Sequence, residues 1–129
     1  MNDELFERGL AIRKAVLGAE FVEKSIASAD EFNMPMQLLV TEYCWGAVWG
    51  REDLPKKTRS MLNLAMLSAL NRPHELKMHI GGALRNGVTK DEIREVLLQV
   101  AIYCGVPAGV DAFRVARETF AELERAEKK

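Results

Sequence analysis

Two segments of this 129-residue chain are apolar at nearly every position, and they limit what it can fold into. Residues 61–70 read MLNLAMLSAL, apolar at eight of ten positions, and residues 96–104 read VLLQVAIYC, broken only by Gln99. Each lies inside a helical pattern, and a helix with no polar face has to be covered on all sides. A domain this small has few fully enclosed positions, too few for two such helices. The fourth, fifth and sixth helices are therefore expected to form the core of an obligate homo-oligomer, with subunit association supplying the missing cover. Neither run approaches the roughly 20 residues needed to cross a bilayer, so no membrane span is expected.

Proline, glycine and capping residues divide the rest of the chain. A first helix is predicted over residues 4–16, where Leu5, Leu10, Ile12 and Val16 recur among charges and Gly18 interrupts. A second runs over 19–32 with Asn33 as a stop, and a third from Met34 or Pro35 to about Gly50 carries both tryptophans. Arg51, Glu52 and Asp53 form a charged turn before Pro55 opens a fourth helix, which contains the first apolar run. Pro73 is a favourable first helical residue and Gly87 a favourable residue just past a helix end, so 73–86 reads as the fifth. Thr89, with Glu92 three residues on, makes a capping box for a sixth over 90–104. Gly105 and Pro107 break it, and a last helix runs over about 107–124. The expected fold is all-α, one domain over residues 1–129 with about six to seven helices.

A formal net charge of −1 gives no basic surface for phosphates, so a nucleic-acid partner is not expected. The start, MNDELFERGL, is acidic and polar where a signal peptide has a basic start and an apolar run, which points to the cytoplasm. Cys44 and Cys104, sixty residues apart among apolar neighbours, read as buried small hydrophobes. No His/Cys/Asp/Glu spacing suits zinc, and Gly81-Gly82 lies within a helix rather than after a strand, so neither metal nor nucleotide cofactor is expected.

Chemistry concentrates on the fifth helix. Glu75 and His79 are four residues apart and share a face with Leu76, Ala83 and Arg72. From spacing alone, a lone helical histidine is more often a packing residue than a catalyst. Trp45 and Trp49, also four apart, read first as core or a subunit contact.

Several strings carry more specific information. In chain order the sequence contains WGAVWGR (45–51), LPKKTRS (54–60), HIGGALRNGVTKDEIREVLLQ (79–99) and YCGVPA (103–108). These resemble the carboxymuconolactone decarboxylase family, a likeness running from about Gly9 to Phe120. The resemblance implies an alkylhydroperoxidase D-like helical fold, assembled as a homohexamer or trimer of dimers. It also implies decarboxylation of 4-carboxymuconolactone, a small carboxylated lactone of protocatechuate catabolism, to an enol-lactone without a cofactor. Redox members of that fold carry a CxxC followed by a histidine on the equivalent helix. Here Arg72 and Glu75 occupy the two cysteine positions, so thiol peroxidase chemistry is excluded.

The roles implied by the resemblance fall on specific residues. His79 would be the general acid and Glu75 would orient it, since an imidazole can hold and release a proton near neutrality. Arg59, Arg51 and Arg85, all within the resembling stretches, are candidate anchors for substrate carboxylates, because guanidinium binds carboxylate with two hydrogen bonds. Trp45 is the candidate for a flat pocket wall. Two positions depart from the pattern: some members carry Glu at Ala47, and the redox branch carries Glu at Ser60. A related lactone as substrate and a non-catalytic oligomeric binding protein are the alternatives these departures leave open.

Overall fold

A computed structural model describes residues 2–128, and all regular structure among them is helical. The helices are α1 (Asp3–Leu17), α2 (Ala19–Ala27), α3 (Met34–Leu39), α4 (Lys56–Ala69), α5 (Pro73–Arg85), α6 (Lys90–Cys104) and α7 (Val106–Glu127). α3 continues directly into a π-helical segment, Val40–Val48, so that the expected third helix is α-helical only in its first part. The all-α expectation and the helix count hold. Among the described residues no helix is long and apolar enough to cross a membrane.

The chain divides at Lys56/Lys57 into two compact units. In unit 1, α1 lies against the π-helical segment at very short range. A Cβ on Gly9 would collide with the Thr41 carbonyl oxygen, and one on Gly46 would sit 2.7 Å from the Leu5 carbonyl oxygen. Only glycine permits that approach. Val16 and Val22 are fully buried, and Trp45 and Trp49 are nearly so, with their rings stacked 4.8 Å apart. α2 ends at Ala27, short of the expected Phe32. Asp30 Oδ1 accepts hydrogen bonds from the Phe32 and Asn33 backbone N–H groups, and Asn33 Oδ1 accepts from that of Asp30, a side-chain-bonded turn that competes with helix.

Unit 2 is built from α4 through α7 around Leu64, Leu76, Ile80, Ala83, Ile93, Leu97 and Ala112. The capping box forms as the sequence predicts: Thr89 Oγ1 accepts from Glu92 N at 3.0 Å, and Glu92 Oε1 accepts from Thr89 N at 2.9 Å. Pro73 is the first residue of α5, and Gly87 beyond its end has φ of 90°, a conformation that favours glycine.

Within the single chain α4 is covered on one side: Ser60, Leu64 and Ser68 are its buried residues, while Leu62, Met66 and Leu70 are about half exposed or more. The core lies on one side of it only, and its other side meets α6 in an apolar groove of about 420 Å³ lined by Met61, Leu62, Ala65, Val100 and Tyr103. One expectation is corrected, that of buried cysteines: both are exposed. Along the π-helical segment the inward positions are Thr41, Glu42, Trp45 and Gly46, leaving Tyr43 and Cys44 outside, and Cys104 ends α6 beside exposed Ile102 and Tyr103.

Candidate functional site

The core-facing stripe of α5 is Leu76, Ile80 and Ala83, and His79 stands at its edge, half-buried. Burial lowers the His79 pKa below its ordinary value, since an imidazolium loses hydration there, and the Glu75 carboxylate one turn earlier opposes the shift. The loss of hydration dominates. The Glu75 side chain itself is exposed, consistent with a field effect softened by solvent.

Across from His79, the Asn63 side chain of α4 brings Nδ2 to 3.5 Å from the imidazole Nδ1. Sequence reading did not single out Asn63. Its signal was an amide interrupting an otherwise apolar run, at a position where a polar side chain needs a partner. Arg59, half-buried, lies one turn before Asn63 on the same face of α4. The fold therefore brings His79, Glu75 and the Asn63 to Arg59 face of α4 into one neighbourhood of unit 2.

Ser60, where redox members carry a glutamate, is completely buried and accepts a hydrogen bond from Asn86 Nδ2 at 2.9 Å. Asn86 caps the C-terminal end of α5, so this pair ties that end to α4. A carboxylate at this position would have to be buried, and Ser60 here is a structural link.

Arg85 is exposed at the end of α5, with its guanidinium over Gly81, about 240° around the helix from His79. Arg51 and Trp45 belong to unit 1. Arg51 is exposed and paired with Asp53 at 3.0 Å, and Trp45 is buried with a ring face against Trp49. His74 is exposed, as its place in the first turn of α5 predicts.

Unit 1 holds a buried cation that the sequence did not single out. Arg13 is 6% exposed and donates from Nη1 to Gln37 Oε1 at 2.9 Å and to Thr41 Oγ1 at 3.2 Å. Its pKa is lowered by burial, with the nearby Cys44 thiol opposing. The signal was spacing: Arg13 falls on the same α1 face as Gly9, Val16 and Leu17, the inward one.

As chemistry, unit 2 offers an imidazole whose proton affinity burial lowers and an amide that can donate to it or accept from it, with Arg59 one turn before that amide on α4. An anion arriving beside the imidazole would raise its proton affinity again. That combination suits proton transfer to an anionic substrate.

Comparison with known proteins narrows the choice. Residues 35–118 match the carboxymuconolactone decarboxylase family. Over its full length the chain is 42% identical to a 4-carboxymuconolactone decarboxylase of Acinetobacter baylyi, covering 97% of that protein. Over 95% of its length it is 43% identical to the nitrosuccinic acid decarboxylase npaB of Metarhizium robertsii, covering 88% of that protein.

Proposed function

The chain belongs to the carboxymuconolactone decarboxylase family, and on that premise we propose that it is a carboxy-lyase converting 4-carboxymuconolactone to its enol-lactone in the cytoplasm. The observation carrying this reading is the half-buried His79, its pKa lowered by burial, in contact with Asn63, on a helix with no thiol at residues 72 and 75. The substrate carries its own electron sink. When the γ-carboxylate leaves as carbon dioxide, the C–C bonding pair moves through the ring double bond onto the lactone carbonyl, giving a dienolate. The protein has to bind the carboxylates, stabilise the developing oxyanion and protonate the α carbon, tasks that need no cofactor.

In this reading the dianionic substrate raises the His79 pKa on binding, the ring takes up a proton, and that proton forms the new bond at the α carbon. Arg59 is the carboxylate anchor best supported by geometry, because it shares a face of α4 with Asn63. Glu75 tunes His79 from one turn away. Arg85, Arg51 and Trp45 remain proposals as further substrate contacts. We further read residues 1–129 as one working domain, supported by a family match that runs across the Lys56/Lys57 division. The apolar groove and the exposed Leu62, Ile102 and Tyr103 support self-association as a hexamer or trimer of dimers.

A second reading of the substrate is favoured by the 43% identity to npaB. Nitrosuccinic acid and 4-carboxymuconolactone are both 2-substituted succinates: the carbon that loses carbon dioxide bears a –CH2–COO− arm and an electron sink. In one the sink is a nitro group, in the other the conjugated lactone. A site that grips the two carboxylates accommodates either. Incubating the pure protein with each compound separately, and following carbon dioxide release without added cofactor, tests both readings. Release from neither would remove the lyase assignment and leave the non-catalytic binding protein.

A further inference from the structure

We propose that Asn63 is a positioning residue for His79, its carboxamide turning between two orientations so that the ring keeps one direction while its charge changes. The inference rests on the proton delivery by His79 proposed above. The two residues lie on different helices, α4 and α5, and Asn63 meets the ring at Nδ1 rather than Nε2. With a neutral ring, Nδ2–H donates to the Nδ1 lone pair, which places the single ring proton on Nε2. With a protonated ring, half a turn about the last side-chain torsion presents Oδ1 to accept Nδ1–H.

A carboxylate at this place would favour the charged ring and hold the neutral one as Nδ1–H, and an aliphatic side chain would take the Asn63 hydrogen bond from Nδ1 in both states. Asparagine is the short side chain that serves both. With Nδ1 engaged by Asn63, proton delivery falls to Nε2. In the proton-transfer step the Nε2–H bond breaks, the dienolate electron pair forms the new C–H bond, and the ring is left neutral with Nδ1–H on Oδ1. Loss of the Nδ1 proton and uptake of one at Nε2 from solvent, with the carboxamide turning back to donate, return the resting tautomer.

The charged surroundings of the ring do not supply this function. On its own helix Glu75 acts through its field, from α4 the charged neighbour on the Asn63 face is Arg59, and α7 meets α5 through the Lys77–Glu122 pair, about 200° around the helix from His79. None of these is placed as a two-way partner for Nδ1.

The chain has two histidines, so a His74→Gln background leaves His79 as the only imidazole for nitrogen-15 NMR. In that background the free protein is expected to show the Nε2–H tautomer. Asn63→Asp should switch the neutral ring to Nδ1–H and raise its pKa by about one unit or more. Asn63→Leu should remove the tautomer preference and lower the pKa. For turnover, both variants should lose about tenfold or more in kcat with KM within about twofold, and Asn63→Asp should move the alkaline limb of the pH profile upward. Tautomer and pKa unchanged in both variants would overturn the proposal, whatever happens to stability. The NMR arm is read on free protein, so it stands or fails separately from turnover of the lactone by the parent.

Discussion

Asn86 donates its side-chain amide to the buried Ser60 hydroxyl at 2.9 Å, joining the C-terminal end of α5 to the face of α4 that leads on to Asn63. The bond is half-buried and spans two helices whose separation sets the distance between Asn63 and His79. Ser60→Ala leaves an amide donor without its partner, at a cost of about 1–3 kcal/mol. A fall in the urea midpoint is expected together with a lower kcat. Ser60→Glu should fare worse, because it inserts a larger, charged group into a fully enclosed site. An unchanged midpoint in Ser60→Ala would mean that this tie carries no stability.

His79→Gln should reduce kcat by about 10²- to 10⁴-fold, the range of a general acid, with a native circular dichroism spectrum. Its KM should move little, since the assigned role lies in proton transfer. Steady-state kinetics on 4-carboxymuconolactone checks this, and a variant within about twofold of the parent would remove His79 from the mechanism.

The same residue gives a pH dependence of stability whose sign follows from its environment. Burial lowers the folded-state pKa of His79 below the ordinary imidazole value of about 6.5, so on acidification the unfolded chain takes up this proton first. The contribution is present in full above about pH 6.5 and is lost as pH falls through the folded-state pKa. Urea unfolding of the parent and of His79→Gln at about pH 7.5 and about pH 5.5 isolates it. The parent should lose more stability than the variant over that interval. A difference between the two that does not vary with pH would show that the imidazole titrates alike folded and unfolded.

Arg59→Lys keeps the charge and loses the fork that matches a carboxylate. With hydrogen bonds to charged groups contributing about 1.5–3 kcal/mol, KM for the lactone should rise by about 10- to 150-fold, with kcat changed less. Arg51→Lys, whose parent side chain is exposed and paired with Asp53, should change KM by less than about threefold. Equal effects from the two would argue against a special place for Arg59.

Local signals made much of this legible. Pro73, Gly87 and the Thr89–Glu92 box fixed the bounds of α5 and the start of α6 because their chemistry acts within a single turn. The end of α2 was hidden, since a turn made by Asp30 and Asn33 side chains competes with helix without altering the apolar pattern before it. The π-helical segment left no mark in a run whose apolar positions fit more than one period, and the outward turn of Cys44 follows from it. At the site, His79 and Glu75 could be paired by counting along one helix. Asn63 could not, because its meeting with His79 depends on how two helices pack. Arg13 did not stand out for a similar reason: its partners Gln37 and Thr41 are more than twenty residues away.

The closest backbone approach in unit 1 gives the sharpest test of the packing. Gly9 on α1 faces the Thr41 carbonyl and the Gly46 amide, both backbone groups that cannot rotate away. A methyl group there forces α1 off the π-helical segment and disturbs the neighbouring Arg13 to Thr41 hydrogen bond. Because the obstacle is backbone on a second helix, relief requires a rigid-body shift, and the cost should reach or exceed the upper part of the usual overpacking range of about 1–3 kcal/mol. Gly87→Ala, by contrast, meets no atom within 4 Å and suffers only from its positive φ, so it should cost about 1 kcal/mol. Urea unfolding of the two variants side by side distinguishes contact from conformation. Gly9→Ala should be the more destabilised, and the reverse order would show that α1 does not lie as close to the π-helical segment in solution.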